Sequence, residues 1–120
     1  MKLRYKILNG FLILIGVAVV ALGLILSHDD ACEPIPAAEG DGFSAIAYNC
    51  YGDAGVLQLA TLPKPVPGEG ELLVRIHAAG VNPLDYHYMR GTPYLMRLMA
   101  GIGRPDSVAV GVDFAGIVDA

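Results

Sequence analysis

"AAGVNPLDYHYMRG", residues 78–91, ends an apolar run and then sets Asn82, Asp85, Tyr86, His87 and Tyr88 close together. The run before it, Leu72 to Val81, is apolar except at Arg75 and His77 and predicts a β-strand. Asn82 suits an N-cap, Pro83 the first helical position, and Asp85 the first turn, where a carboxylate meets the positive end of the helix dipole. A short helix over Leu84–Met89 is therefore expected, stopped by Gly91. Two readings compete. In one, Asn82 and Asp85 only cap a helix while Tyr86 and Tyr88 pack on a sheet. In the other, the same cluster forms one wall of an active site, because amide, carboxylate, phenol and imidazole rarely crowd together merely to fill a core.

Working outward, Phe43–Asn49 and Val56–Leu62 read as strands around a turn at Gly52–Gly55. "PKPVPGEGE" is a turn-rich connection, since proline fixes φ and glycine permits positive φ. Thr92 or Pro93 opens a second short, Met-rich helix in "YLMRLMAG", and "GIGRPDS" is a loop. Val108–Ala120 reads as paired strands about a glycine bend, and the last of them has no visible partner or closing element. Residues 43–120 are thus expected to form a small, mainly β, mostly antiparallel barrel-like domain with short helices, cut short within a longer protein.

Ile7 to Leu26 is uncharged, with Asn9 its one polar side chain, and a helix of that length reaches about 30 Å, enough to cross a hydrocarbon core. Lys2, Arg4 and Lys6 precede it. This predicts a basic cytoplasmic start at 1–6, a single transmembrane helix at 7–26 and a linker at 27–42 rich in acids and prolines. A cleaved signal peptide is the alternative, but acidic residues stand where a peptidase requires small ones. Beyond Leu26 lie 12 acidic and 5 basic side chains, a net of −7, which excludes a nucleic-acid partner. Cys32 and Cys50 have no metal-ligand spacing; they are either separate thiols or a disulfide in an oxidising compartment.

The other candidates are weak. His77 and His87 are solitary, the Tyr94, Leu95, Met96, Leu98 and Met99 surface reads as core or as an adaptable cleft lining, and Gly68/Gly70 and Gly101/Gly103 are turns. Nucleophile-elbow, zincin and phosphate-loop patterns are absent.

"AIAYNCYGDAGVLQLATLPKPVPGEGELLVRIHAAGVNPLDYHYMRG" together with "GVDFAGIVDA" resembles the start of medium-chain dehydrogenase/reductase proteins, in their zinc-independent quinone oxidoreductase (zeta-crystallin-like) branch. The resemblance covers residues 43–120. It implies an alcohol-dehydrogenase-like N-terminal domain of GroES-like fold, a partly open β-barrel. In zinc-dependent relatives a Cys ligand stands where Asn82 is and a His-Glu pair where Val112-Asp113 is. An amide and a valine do not replace a thiolate and an imidazole, so no catalytic zinc is expected. The resemblance further implies hydride transfer to a carbonyl or quinone, with Asn82 lining the cleft beside the nicotinamide and Tyr86, His87 or Tyr88 offering a donor to substrate oxygen. NADPH or NADH would be held by a second, Rossmann-type domain that these residues do not contain. A homodimer is implied for the full-length form. The charge rule puts the domain on the far side of the membrane, where NADPH is scarce. The competing expectation is a truncated, non-enzymatic interaction module.

Overall fold

The structure is a computed structural model and describes residues 2–120, so Met1 of the basic start lies outside the described residues. Helix α1, Lys2–Leu26, is continuous, and its segment Leu3–Leu26 contains an 18-residue window with a mean hydropathy of 2.6. Residues 3–25 of it are exposed; Leu26, at the end that meets the domain, is buried. This is the one helix among the described residues long and apolar enough to cross a membrane.

Strands β1 (Gly42–Ala47) and β2 (Gln58–Pro63) pair antiparallel, with Ala45 opposite Ala60 and Ala47 opposite Gln58. Successive side chains in a strand point to opposite faces, and this puts Ala45, Ala47, Ala60 and Leu62 on one side. There they form the apolar core, with Ile35 from the preceding segment laid against them. A turn of 3-10 helix at Ala54–Val56 joins the two strands where a plain glycine turn is expected from sequence.

Strand β3, Val74–Ala79, leads into helix α2, Pro83–Arg90; a 3-10 turn at Tyr94–Met96 and helix α3, Arg97–Ala100, follow. Strand β4, Phe114–Val118, returns to pair antiparallel with β3. This corrects two expectations. Residues 108–120 do not pair with one another: Ala109 makes a single bridge to Ala47, and Phe114–Val118 finds its partner in β3. The register slips between Ile76 and Ala78, which leaves His77 as the extra residue of a bulge. Gly116 allows the close approach, since a Cβ there would lie 2.2 Å from the Arg75 carbonyl oxygen.

The expectation of a partly open barrel with short helices holds only in part. The four strands make two separate two-stranded sheets and no closed barrel. Strands of five and six residues in such pairs are too few to curl into a closed ladder.

Residues 27–41 form no helix or strand, yet they do not swing free. The Asp30 amide donates to the Gly103 carbonyl, the Ala38 amide to Thr61, and the Asn49 side chain to the Glu33 carbonyl. Cys32 and Cys50 form a disulfide, which resolves the alternative left open by their spacing. The segment is a strap across the domain.

Candidate functional site

Helix α2 is positioned by its own sequence. Asn82 has extended backbone angles, and its Oδ1 accepts from the Leu84 amide at 2.7 Å. Asp85 reaches back to accept from the Asn82 amide at 2.8 Å, completing a capping box around Pro83. At the far end Gly91, with φ of 60°, turns the chain in the left-handed conformation that stops the helix. Both ends match the expectation from residues 78–91.

The remaining Asn82 donor points at strand β4's approach. Its Nδ2 donates to Asp113 Oδ2, while the Gly80 amide donates to the Asp113 carbonyl at 3.0 Å. Asn82 and Asp113 stand 31 residues apart in sequence and are brought into contact here. An amide and one carboxylate are a poor cage for a zinc ion, which takes thiolate, imidazole or several carboxylates. Among the described residues no group of three His, Cys, Asp or Glu side chains converges on a common point.

A cavity of about 260 Å³ is lined by Tyr48, Asp85, Tyr88, Ser107, Ala109, Val110, Gly111 and Val112, and so includes the Asp85 that bonds the Asn82 amide and the Val112 next to Asp113. Asp85 is buried, and its second oxygen, Oδ1, has no hydrogen-bond partner. Burial pushes the Tyr48 phenol above its usual range, and the neighbouring Tyr88 phenol adds to the shift. Tyr48 therefore stays protonated, and able to donate, throughout the physiological range.

The four residues singled out from sequence are divided by the helix. Asn82 sits at its start beside Asp113, and Tyr88 lines the cavity. Residues two apart on a helix point in nearly opposite directions, so His87 turns away from Asp85. Its Nδ1 contacts the Thr92 carbonyl at 2.8 Å, at the C-terminal end of α2. Tyr86 is exposed, stacked edge-on to His87 and covered by the Arg90 guanidinium 4.9 Å from its ring centre. The structure thus gathers Asn82 and Tyr88 with Asp85, Tyr48 and Asp113, and leaves Tyr86 and His87 outside the cavity lining.

Arg97 was not foreseen. It is 2% exposed and donates to four carbonyls: Gly91, Leu26 and His28 at 2.9 Å, and Arg90 at 3.4 Å. Asp29 pairs with it at 2.8 Å, and the rings of Tyr51 and Tyr94 lie 4.3 and 4.8 Å from its guanidinium carbon. Gly91 is needed for this packing, because a Cβ there would stand 2.7 Å from Arg97 Nε and from the Tyr51 ring. The one sequence signal was a lone charge within an otherwise apolar "YLMRLMA".

Comparison with known proteins agrees with this architecture. Residues 68–120 match the family described as "Alcohol dehydrogenase GroES-like domain". A quinone oxidoreductase from Sus scrofa is 33% identical over 78 residues, covering 64% of this chain and 22% of that protein. The solved quinone oxidoreductase from Coxiella burnetii superposes with a TM-score of 0.52 at 30% identity, over 65% of this chain and 24% of the other. The chain spans less than a quarter of the length of each of these relatives. With its capped α2 following β3 and its β4 returning to the same strand, the matched region is similar to the alcohol-dehydrogenase-like, GroES-like N-terminal domain of quinone oxidoreductases of the medium-chain dehydrogenase/reductase kind.

Proposed function

We propose that this chain is the substrate-side portion of a membrane-anchored oxidoreductase that reduces a carbonyl or quinone without zinc. The observation that carries the reading is the Asn82–Asp113 contact, tied to the Tyr48/Asp85/Tyr88 cavity by the bond from the Asn82 amide to Asp85. By the resemblance, Asn82 stands where zinc-dependent relatives carry a Cys ligand and Val112-Asp113 where they carry a His-Glu pair. After bonding Leu84 and Asp113, the Asn82 amide keeps one N–H and one lone pair for a ligand. A nicotinamide cofactor, NADPH or NADH, bound by a second domain would supply the hydride. This chain's residues would do the rest: Asn82 orients the ring's edge, Tyr88 and Tyr48 offer hydrogen bonds to the substrate oxygen, and the apolar rim excludes water.

The anchor reading draws support from the 24-residue apolar segment Leu3–Leu26 and from the basic residues at its start. Orientation draws support from the Cys32–Cys50 disulfide, a bond that persists in oxidising compartments. The domain then lies outside the cytoplasm. That same disulfide favours a second reading, an interaction module that never meets reduced cofactor.

One assay separates the two. A product extended to the full length of the relatives is mixed with NADPH and a short-chain quinone in the presence of a metal chelator. Quinone-dependent NADPH oxidation is expected, and Asn82→Ala should lower it by about tenfold, roughly 1.4 kcal/mol of transition-state stabilisation. Failure of that product to bind NADPH would favour the interaction module.

A further inference from the structure

The junction between α1 and the domain has no slack. Leu26, the last residue of α1, is buried against the domain, and its carbonyl accepts from Arg97 Nη1 at 2.9 Å. The same nitrogen bonds the His28 carbonyl, Asp29 pairs with Arg97 Nη2, and Asp30 pairs with Arg104 at 3.3 Å. Asp29 also forms a bridge with Gly103, and the Cys32–Cys50 disulfide follows at once. The partners of residues 26–30 named here, Arg97, Gly103 and Arg104, all come from one stretch of the domain, Tyr94 to Arg104.

That stretch carries an apolar surface which the domain leaves uncovered. Met99 is 86% exposed, Leu95 66%, Leu98 54% and Ile102 52%. Half-exposed Tyr94 and the exposed, basic Arg104 flank it. A helix that leaves a hydrocarbon core ends in the headgroup layer, so whatever bonds its last carbonyl is held at that layer too. Exposed leucines and methionines beside a tyrosine and an arginine are the composition that segments lying in this layer use.

We propose that Leu95, Leu98, Met99 and Ile102 form a foot inserted into the surface of the bilayer that α1 crosses, with Arg97 as the joint that holds it there. The inference rests on the anchor reading above. The occupant is lipid, because the patch is continuous with the end of the apolar helix and is tied to it by hydrogen bonds and ion pairs. The foot fixes the height of α2, since Arg97 also bonds the carbonyls of Arg90 and Gly91 at that helix's C-terminal end. The candidate cavity is thereby held close to the bilayer, where apolar quinones dissolve.

The chain contains no tryptophan, so single-tryptophan variants report their own surroundings. Met99→Trp, Leu14→Trp and Val66→Trp would be made in the full chain and reconstituted into phosphatidylcholine/phosphatidylglycerol vesicles. Val66 is exposed in the loop between β2 and β3, where neighbouring Lys64 pairs with Asp119 beyond β4. Lipids brominated high on the acyl chain should quench Met99→Trp, and acrylamide should quench it several-fold less than Val66→Trp. Deep-brominated lipids should quench Leu14→Trp. Ile102→Trp should repeat the Met99→Trp result, which guards against a local misfit. If Leu14→Trp is quenched by lipid while Met99→Trp is as open to acrylamide as Val66→Trp, the foot is wrong and the anchor stands. If Met99→Trp is shielded from acrylamide but untouched by brominated lipid, its cover is protein, which also overturns the proposal. Loss of lipid quenching at Leu14→Trp would remove the anchor and the foot together.

Discussion

Around Arg97 the donors of a buried side chain are met by the carbonyls of three separate segments, whereas around Arg75 the same side-chain type lies open in water. Arg97 joins the end of α1, the strap and the end of α2, with aromatic rings closing over it. Arg75, on β3, bonds Asp119 at 2.5 Å, but two thirds of it is exposed. The sheets differ in the same way. The β1–β2 pair buries one face against Ile35, while β4 is exposed along its whole length. Chemical type alone therefore says little about what a residue contributes here; the desolvation around it decides.

Removing the buried arginine is the harshest test of that contrast. Arg97→Ala would leave the Leu26, His28 and Gly91 carbonyls without their donor and strand Asp29, so a loss of about 3–5 kcal/mol is expected in chemical denaturation. Arg97→Lys should rescue little, because an ammonium cannot reproduce the planar fork. A cost below about 1 kcal/mol would erase the distinction between the two regions. Next in size is the strap. Reducing Cys32–Cys50, which are 18 residues apart, should cost about 3 kcal/mol by releasing a closed loop in the unfolded chain. Denaturation midpoints with and without reductant give the number.

Asn82→Ala probes the helix between the two regions and should cost about 1 kcal/mol, the usual worth of an N-cap. Its reciprocal half survives, since Asp85 accepts from the backbone of residue 82 whatever the side chain. Circular dichroism melts of the two proteins suffice. Smallest of all, Arg75→Ala should change stability by less than about 1 kcal/mol, because the pair is solvent-screened. A double-mutant cycle with Asp119→Ala measures it, and a coupling of several kcal/mol would show that the open sheet is held by charge after all.

How far the sequence could be read follows the same division. Helix α2 was legible from Asn82, Pro83, Asp85 and Gly91, because caps act over three or four residues and each type has a distinct local role. Strands β1 and β2 were legible from alternation. What escaped depends on contacts distant in sequence. Arg97 reaches Leu26 across 71 residues, and no local pattern encodes that. The partner of Phe114–Val118 escaped because a period-two run specifies a face and leaves the neighbouring strand open. Of the candidate site, Asn82 and Tyr88 are legible in the sequence, but the split that sends His87 to Thr92 and Tyr86 to Arg90 comes from where the helix presents each side chain. Tyr48 arrives from another strand's end and left no signal beyond being one aromatic among several.

The reading of the site turns on whether Asn82 and Asp113 replace a metal centre or form part of one. The 120-residue chain, expressed in zinc-supplemented medium, purified without chelator and analysed by inductively coupled plasma mass spectrometry, answers this directly. The Asn82–Asp113 hydrogen bond predicts far less than one zinc per chain, unchanged in Asn82→Ala. One tightly held zinc per chain, lost when Asn82 or Asp113 is replaced, would contradict it.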